Sequence, residues 1–205
     1  MSIQQEKVLF IKDMICTRCI KVVRQTLEES GFLILELTLG KAIVLSDQKQ
    51  LQIEHLQKAL REDGFELIED KEVFLVEQIK LAIRGLINDL PLIMDCNLSD
   101  FLSRKFHKSY YYLSKTFSRQ ESVTIERYYA LLRVEKVKEL VEYDEMNFSE
   151  IAYHLGYRSV QHLCKQFKQN TGITMSYYKA QKNKNRLPQN KIILKQKPGA
   201  QKNKN

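Results

Sequence analysis

Residues that break regular structure are scarce: the 205-residue chain has seven glycines and three prolines. What remains is the composition of a globular protein with abundant helix formers, long enough for one or two domains with real cores. Cysteine is also sparse. The four thiols, at positions 16, 19, 96 and 164, do not form a disulfide framework, and only Cys16 and Cys19 are close enough for a local site. No apolar run approaches the roughly 20 residues of a membrane-spanning helix, and the opening MSIQQEK lacks the apolar core of a secretion signal. A soluble, cytoplasmic chain with reduced thiols and no membrane partner is expected. Signatures of catalysis are missing too: there is no Gly-rich phosphate loop, no nucleophile with a plausible base and no carboxylate pair, so an enzyme is not expected.

The net charge of +8 is unevenly placed. Residues 1–70 carry −3, residues 71–95 carry −1, residues 96–180 carry +4, and residues 181–205 carry +8 with no acidic residue. An acidic N-terminal part followed by a basic C-terminal part points to two domains, the second facing a polyanion. The tail repeats AQKNKN at 180–185 and 200–205 and reads as a basic, disordered extension.

Residues 97–128 recur as residues 147–178 at an offset of 50. Asn97, Ser99, Ser109, Leu113, Lys115, Phe117, Thr124 and Tyr128 return as Asn147, Ser149, Ser159, Leu163, Lys165, Phe167, Thr174 and Tyr178. Each copy reads as a short helix, a turn and a second helix. Asn97 with Asp100, and Asn147 with Glu150, have the spacing of a capping box. Ser109 and Ser159 offer N-caps for the second helices, and Leu113/Phe117 and Leu163/Phe167 make apolar i, i+4 pairs. Gly156 permits a tight turn. The plan is helix-turn-helix, over residues 97–120 and 147–170. Tyr111, Ser114 and Lys115 in one copy, and Gln161, Cys164 and Lys165 in the other, are expected on the outer faces. Gln there suits adenine edges, Lys suits guanine acceptors, and Tyr or Ser suits phosphate or bases. Between the copies, apolar Tyr129, Leu132, Val134, Val137, Leu140 and Val141 predict one long amphipathic helix, placing the two reading helices about one DNA turn, roughly 34 Å, apart. A purely structural helical repeat is the alternative; solenoids usually use three or more copies.

The stretch Arg133 to Leu140 and then Ser149 to Gly172 resembles the AraC-type transcription regulators. Their second motif is matched by Ile151, Ala152, Gly156, Tyr157, Ser159, Leu163, Phe167, Lys168 and Gly172. The resemblance covers about residues 74–180. It implies a seven-helix domain with two recognition helices in the major groove, with Tyr111, Ser114, Lys115, Arg158, Gln161, Lys165 and Lys168 at contact positions. Ser122 and Met175 stand where glycine and proline are usual.

The first 70 residues predict the order βαββαβ, the ferredoxin-like arrangement, with a turn at Gly40. Met14-Ile15-Cys16-Thr17-Arg18-Cys19 falls where the first strand hands over to the first helix. Two thiols there can converge on one soft metal, and free N–H groups with Arg18, Lys21 and Arg24 would stabilise thiolates. The pattern resembles the heavy-metal-associated domains of copper chaperones and metal-exporting ATPases. The resemblance implies Cys16 and Cys19 as ligands and Cu(I) as the metal, other thiophilic ions being alternatives; Asp13 stands where glycine is usual. A redox pair and a domain kept only for protein contacts are the other readings.

The expected architecture is therefore α+β: residues 1–71 a ferredoxin-like, heavy-metal-associated-like domain, 72–180 an all-α domain with two helix-turn-helix motifs, and 181–205 a basic tail. The expected function is a DNA-binding transcription regulator responsive to Cu(I) or a similar ion. A regulator that has lost metal binding and a metallochaperone with a helical docking domain are the rivals. Expected partners are double-stranded DNA, a second copy of the chain and RNA polymerase.

Overall fold

The structure is a computed structural model that describes residues 5–46 and 50–181; the predicted basic tail, apart from Gln181, lies outside the described residues. The chain divides into two compact units, residues 1–81 and 82–205.

The first unit runs β1 (Gln5–Lys12), α1 (Thr17–Glu29), β2 (Leu33–Thr38), β3 (Lys41–Ser46), α2 (Gln50–Glu62) and β4 (Glu66–Ile68). Its four strands form one antiparallel sheet in the order β2-β3-β1-β4, with Leu9 opposite Ala42 and Ile11 opposite Leu67. The period-2 pattern decides which face is covered. Leu9, Ile11, Ala42 and Val44 point to one side and are buried with Val23 and Leu27 of α1 and Leu56 and Leu60 of α2. Thr26 Oγ ties the two helices' ends together by donating to Asp63 Oδ2 at 2.9 Å. On the opposite face Phe10 stacks on Phe74 at 3.9 Å between ring centroids.

Phe74 belongs to α3 (Lys71–Asn88). The division between the units falls inside this helix, after Leu81, rather than at the expected 71/72. The reason is that the first turns of α3 serve the sheet, through Phe74 on Phe10 and Gln78 Nε2 donating to the Leu39 carbonyl at 3.4 Å.

The second unit continues with α4 (Leu98–Phe106), α5 (Tyr110–Glu121), α6 (Ile125–Tyr143), α7 (Phe148–His154), α8 (Val160–Thr171) and α9 (Met175–Ala180). The 50-residue repeat is visible as three matched N-caps. Asn97 and Asn147 accept from the backbone N–H groups of Asp100 and Glu150, Ser109 and Ser159 from those of Tyr112 and His162, and Thr124 and Thr174 from those of Arg127 and Tyr177. Ring pairs repeat too: Phe117 with Tyr128 and Phe167 with Tyr178, each at 5.6 Å. Only the second capping box is complete, the Asn147 N–H donating to Glu150 Oε2 at 2.7 Å; Asp100 is one methylene shorter.

Helix α6 departs from expectation. It is not amphipathic: Ile125, Tyr128, Leu131, Leu132, Val134, Val137, Leu140 and Val141 are buried, and so is Glu135. Neighbouring positions such as 131 and 132 are both covered because the motifs close on α6 from more than one side. Tyr128, not Tyr129, is the core residue.

Helices α5 and α8 end alike. Ser122 caps α5 at φ +59° and Gly172 caps α8 at φ +81°. A side chain in this left-handed region costs roughly 1–2 kcal/mol, which glycine avoids. Ser122→Gly is therefore expected to stabilise the protein by about 0.5–1 kcal/mol after the added unfolded-state entropy, and Gly172→Ala to destabilise it by about 1 kcal/mol. Denaturant midpoints check both; shifts of the opposite sign would refute the strain.

Candidate nucleic-acid interface and metal centre

In each helix-turn-helix motif the second helix is held from beneath by residues the sequence makes apolar. Leu113, Thr116 and Phe117 of α5, and Leu163 and Phe167 of α8, are buried. That anchoring turns the opposite face outward: Tyr111, Lys115, Arg158, Gln161, Lys165 and Lys168 are exposed. Lys115 Nζ lies 5.8 Å from the Tyr111 ring centre, and Lys108 Nζ lies 5.1 Å from that of Tyr112. The first motif thus presents cations paired with aromatic surface, while the second presents an amide and three cations.

The turns differ. In the first motif His107 takes the left-handed conformation at φ +51°. In the second Gly156 takes it at φ +65°, and a Cβ there would lie 3.2 Å from Leu92 Cδ2. Glycine is required at 156 both for the backbone angle and for the close approach of Leu92, whose N–H donates to the His154 carbonyl at 2.7 Å.

In the first unit Cys16 is the N-cap of α1 and Cys19 lies in its first turn. Their sulfurs are 3.6 Å apart; Cys16 is exposed and Cys19 half-buried. The backbone N–H of Cys19 holds the Cys16 thiol below its ordinary pKa; slight burial opposes this, and the Cys19 side chain, the Arg18 N–H and the Arg18 charge add to it. Cys16 and Cys19 are the residues that would hold an ion here, as a pair of thiolates. Two soft sulfurs suit a soft monovalent ion, and no cluster of three or more His, Cys, Asp or Glu is assembled among the described residues. Met14, beside the pair, is buried, with its sulfur accepting from the Gly40 N–H at 3.4 Å. It packs the loop rather than joining the thiols. Asp13 stands at φ +67°, a backbone position that favours glycine.

Residues 102–181 match the family model described as "Helix-turn-helix domain". This C-terminal segment is therefore similar to helix-turn-helix domains. Over 111 residues the chain is 28% identical to the regulatory protein PocR of Salmonella typhimurium, which covers 54% of this chain and 36% of PocR; the chain thus spans about a third of that relative's length. Among solved structures it is similar to the C-terminal domain of AraT, a response regulator from Geobacillus stearothermophilus. There the identity is 22% and the TM-score 0.46, over 51% of this chain and 83% of that one. A DNA-binding transcriptional dual regulator from Escherichia coli K-12 is similar at 19% identity and a TM-score of 0.42, over 49% and 88%.

Within the helix-turn-helix domain the motif residues Leu113, Phe117, Ile151, Ala152, Leu163 and Phe167 are core, and Gly156 and Gly172 occupy left-handed turns. Two outer-face expectations change. Ser114 is half-buried and its hydroxyl donates to the Tyr111 carbonyl at 3.2 Å, so it is engaged with its own helix. Cys164 packs against the core and points its sulfur at Met175 Sδ, 3.8 Å away. The spacing 160, 163, 164, 167 already places it on the apolar stripe, where cysteine behaves as a small hydrophobe. Arg133 of α6 went unremarked as a site residue. It donates from Nη2 to the Leu155 carbonyl at 2.6 Å, with its guanidinium carbon 3.6 Å from the Tyr157 ring centre. The i, i+4 aromatic partner Tyr129 was the available signal. No helix of the described residues is long and apolar enough to cross a membrane.

Proposed function

We propose that the chain is a sequence-specific DNA-binding transcription regulator whose N-terminal unit captures a thiophilic metal ion, Cu(I), through Cys16 and Cys19. The observation that carries the first half is the pair of capped helix-turn-helix motifs in one unit, each presenting an exposed second helix with cations. Lys115, Arg158, Lys165 and Lys168 supply charge for phosphates or guanine edges, and Gln161 supplies a donor and acceptor matched to adenine. Tyr111 offers an apolar edge for a thymine methyl. The similarity to PocR, named a regulatory protein, supports the same reading.

The antiparallel order β2-β3-β1-β4 with two helices on one face supports the ferredoxin-like reading of the first unit, and the thiol pair at the start of α1 supports its use as a heavy-metal-associated domain. The bound ion would supply a bridge between two thiolates; the chain's own contribution is to hold those thiolates at a helix N-terminus with exposed Arg18 beside them.

Selection from random duplexes at about 150 mM salt tests the DNA half, because charge alone gives only nonspecific binding there. Enrichment of one sequence is expected, and no enrichment would remove the regulator reading. On the selected sequence Lys165→Ala is expected to lower the salt slope of log K by about 1 if the lysine meets a phosphate. An unchanged slope with altered base preference would move Lys165 to base reading.

A further inference from the structure

We propose that Arg133, in the helix joining the two motifs, is the positioning residue that sets the angle of the second reading helix α8. The inference rests on the DNA-reading proposal and deepens it.

The carbonyls at the end of α7 are accounted for one by one. Those of Ile151, Ala152 and Tyr153 accept from the N–H groups of Leu155, Tyr157 and Gly156. Those of His154 and Leu155 turn away from the helix and need partners from elsewhere. Leu92 supplies its N–H to His154, and Arg133 supplies Nη2 to Leu155. A guanidinium at this helix end also meets the negative pole of α7.

The same group fixes the next residue along. Its carbon sits 3.6 Å from the centre of the Tyr157 ring, and Tyr157 is only 7% exposed. Tyr157 meets α8 directly, its ring edge-on to that of His162 at 5.7 Å. Contact therefore runs from α6 through Arg133 and Tyr157 to the first turn of α8, three residues from Lys165. The half-buried side chain is occupied with this turn and has its Nε buried, so it is not presented to a phosphate. Both contacts need a flat, delocalised cation, one to stack and one to donate in plane; a lysine provides the charge and neither geometry.

The test uses the full-length chain with Arg133→Lys and Arg133→Met, and the duplex selected by the wild type. Both variants are expected to lose about tenfold in affinity for that duplex, the scale of one good interaction, while affinity for unrelated duplexes and the salt slope stay at wild-type values. Amide exchange at Tyr157–Leu163 is expected to quicken by about tenfold, with that of α5 unchanged. A salt slope reduced by about 1 would make Arg133 a phosphate contact and overturn the proposal. Wild-type affinity and exchange in Arg133→Lys would overturn it as well, since charge alone would then suffice. If Arg133→Met unfolds, the lysine variant decides. If the wild type selects no duplex, the regulator reading has failed, and unchanged exchange in Arg133→Lys still overturns the positioning role separately.

Discussion

Replacing Cys16 and Cys19 together by serine is expected to abolish competition for Cu(I) against a chelator, a loss well beyond the about 10–100-fold that removing an outer-shell partner costs. Hydroxyls are hard donors and stay protonated at neutral pH, so neither substitution leaves a usable ligand. The pH dependence follows from the same site. Metal must displace protons from both thiols, and the Cys16 thiol is held below its ordinary pKa by the Cys19 N–H. Affinity should fall as pH drops, because protons then compete for sulfur. Far-ultraviolet circular dichroism should not change, since Cys16 is exposed at the N-cap of α1 and serine is itself a favoured N-cap residue. A double variant that competes for Cu(I) as the wild type does would end the metal proposal.

Phe167→Ala is expected to cost the most stability, about 3–5 kcal/mol. The ring is fully buried in the cluster shared by α6, α7, α8 and α9, and it sits edge-on to Tyr178 at 5.6 Å. Against a whole-domain stability of roughly 5–15 kcal/mol, that leaves the helix-turn-helix domain marginal. Lys165→Ala, on the exposed side of the same helix, should lie within about 0.5 kcal/mol of wild type. Urea unfolding followed by circular dichroism separates the two. Equal midpoints would mean that α8 is not anchored by its Phe side.

The elements themselves were readable because each carries a local signal. Period-2 alternation announced the strands, and Asn and Ser caps announced the starts of α4, α5, α7 and α8. The repeat predicted paired motifs because identical residues do identical work, as Phe117/Tyr128 and Phe167/Tyr178 do. What escaped was decided by tertiary neighbours. The surroundings of α6 could not be read from its own pattern, since a helix covered on several sides has no single stripe. Cys164 was placed outward by its chemical type although its spacing placed it inward. Ser122 and Asp13 were legible as departures from glycine; only backbone angles of +59° and +67° reveal that the departure carries strain at the turn each inherits. The role of Arg133 was only hinted at by Tyr129 four residues before it: its other partners, the Leu155 carbonyl and Tyr157, are more than 20 positions away, and no local pattern encodes a carbonyl left over at the end of a helix.

The buried spine α6 also acts as a ruler. Its 19 residues span about 28 Å at 1.5 Å per residue. Since both motifs close on it, the spacing and phase of the two surfaces are set by helical geometry rather than by a loop. One residue added to α6 would carry the second surface about 1.5 Å along and about 100° around the first, off the face of any duplex that suited both. Length in this segment is therefore constrained as tightly as sequence. A change of target would have to arise in the side chains of α5 and α8, with the distance between the two half-sites left as it is.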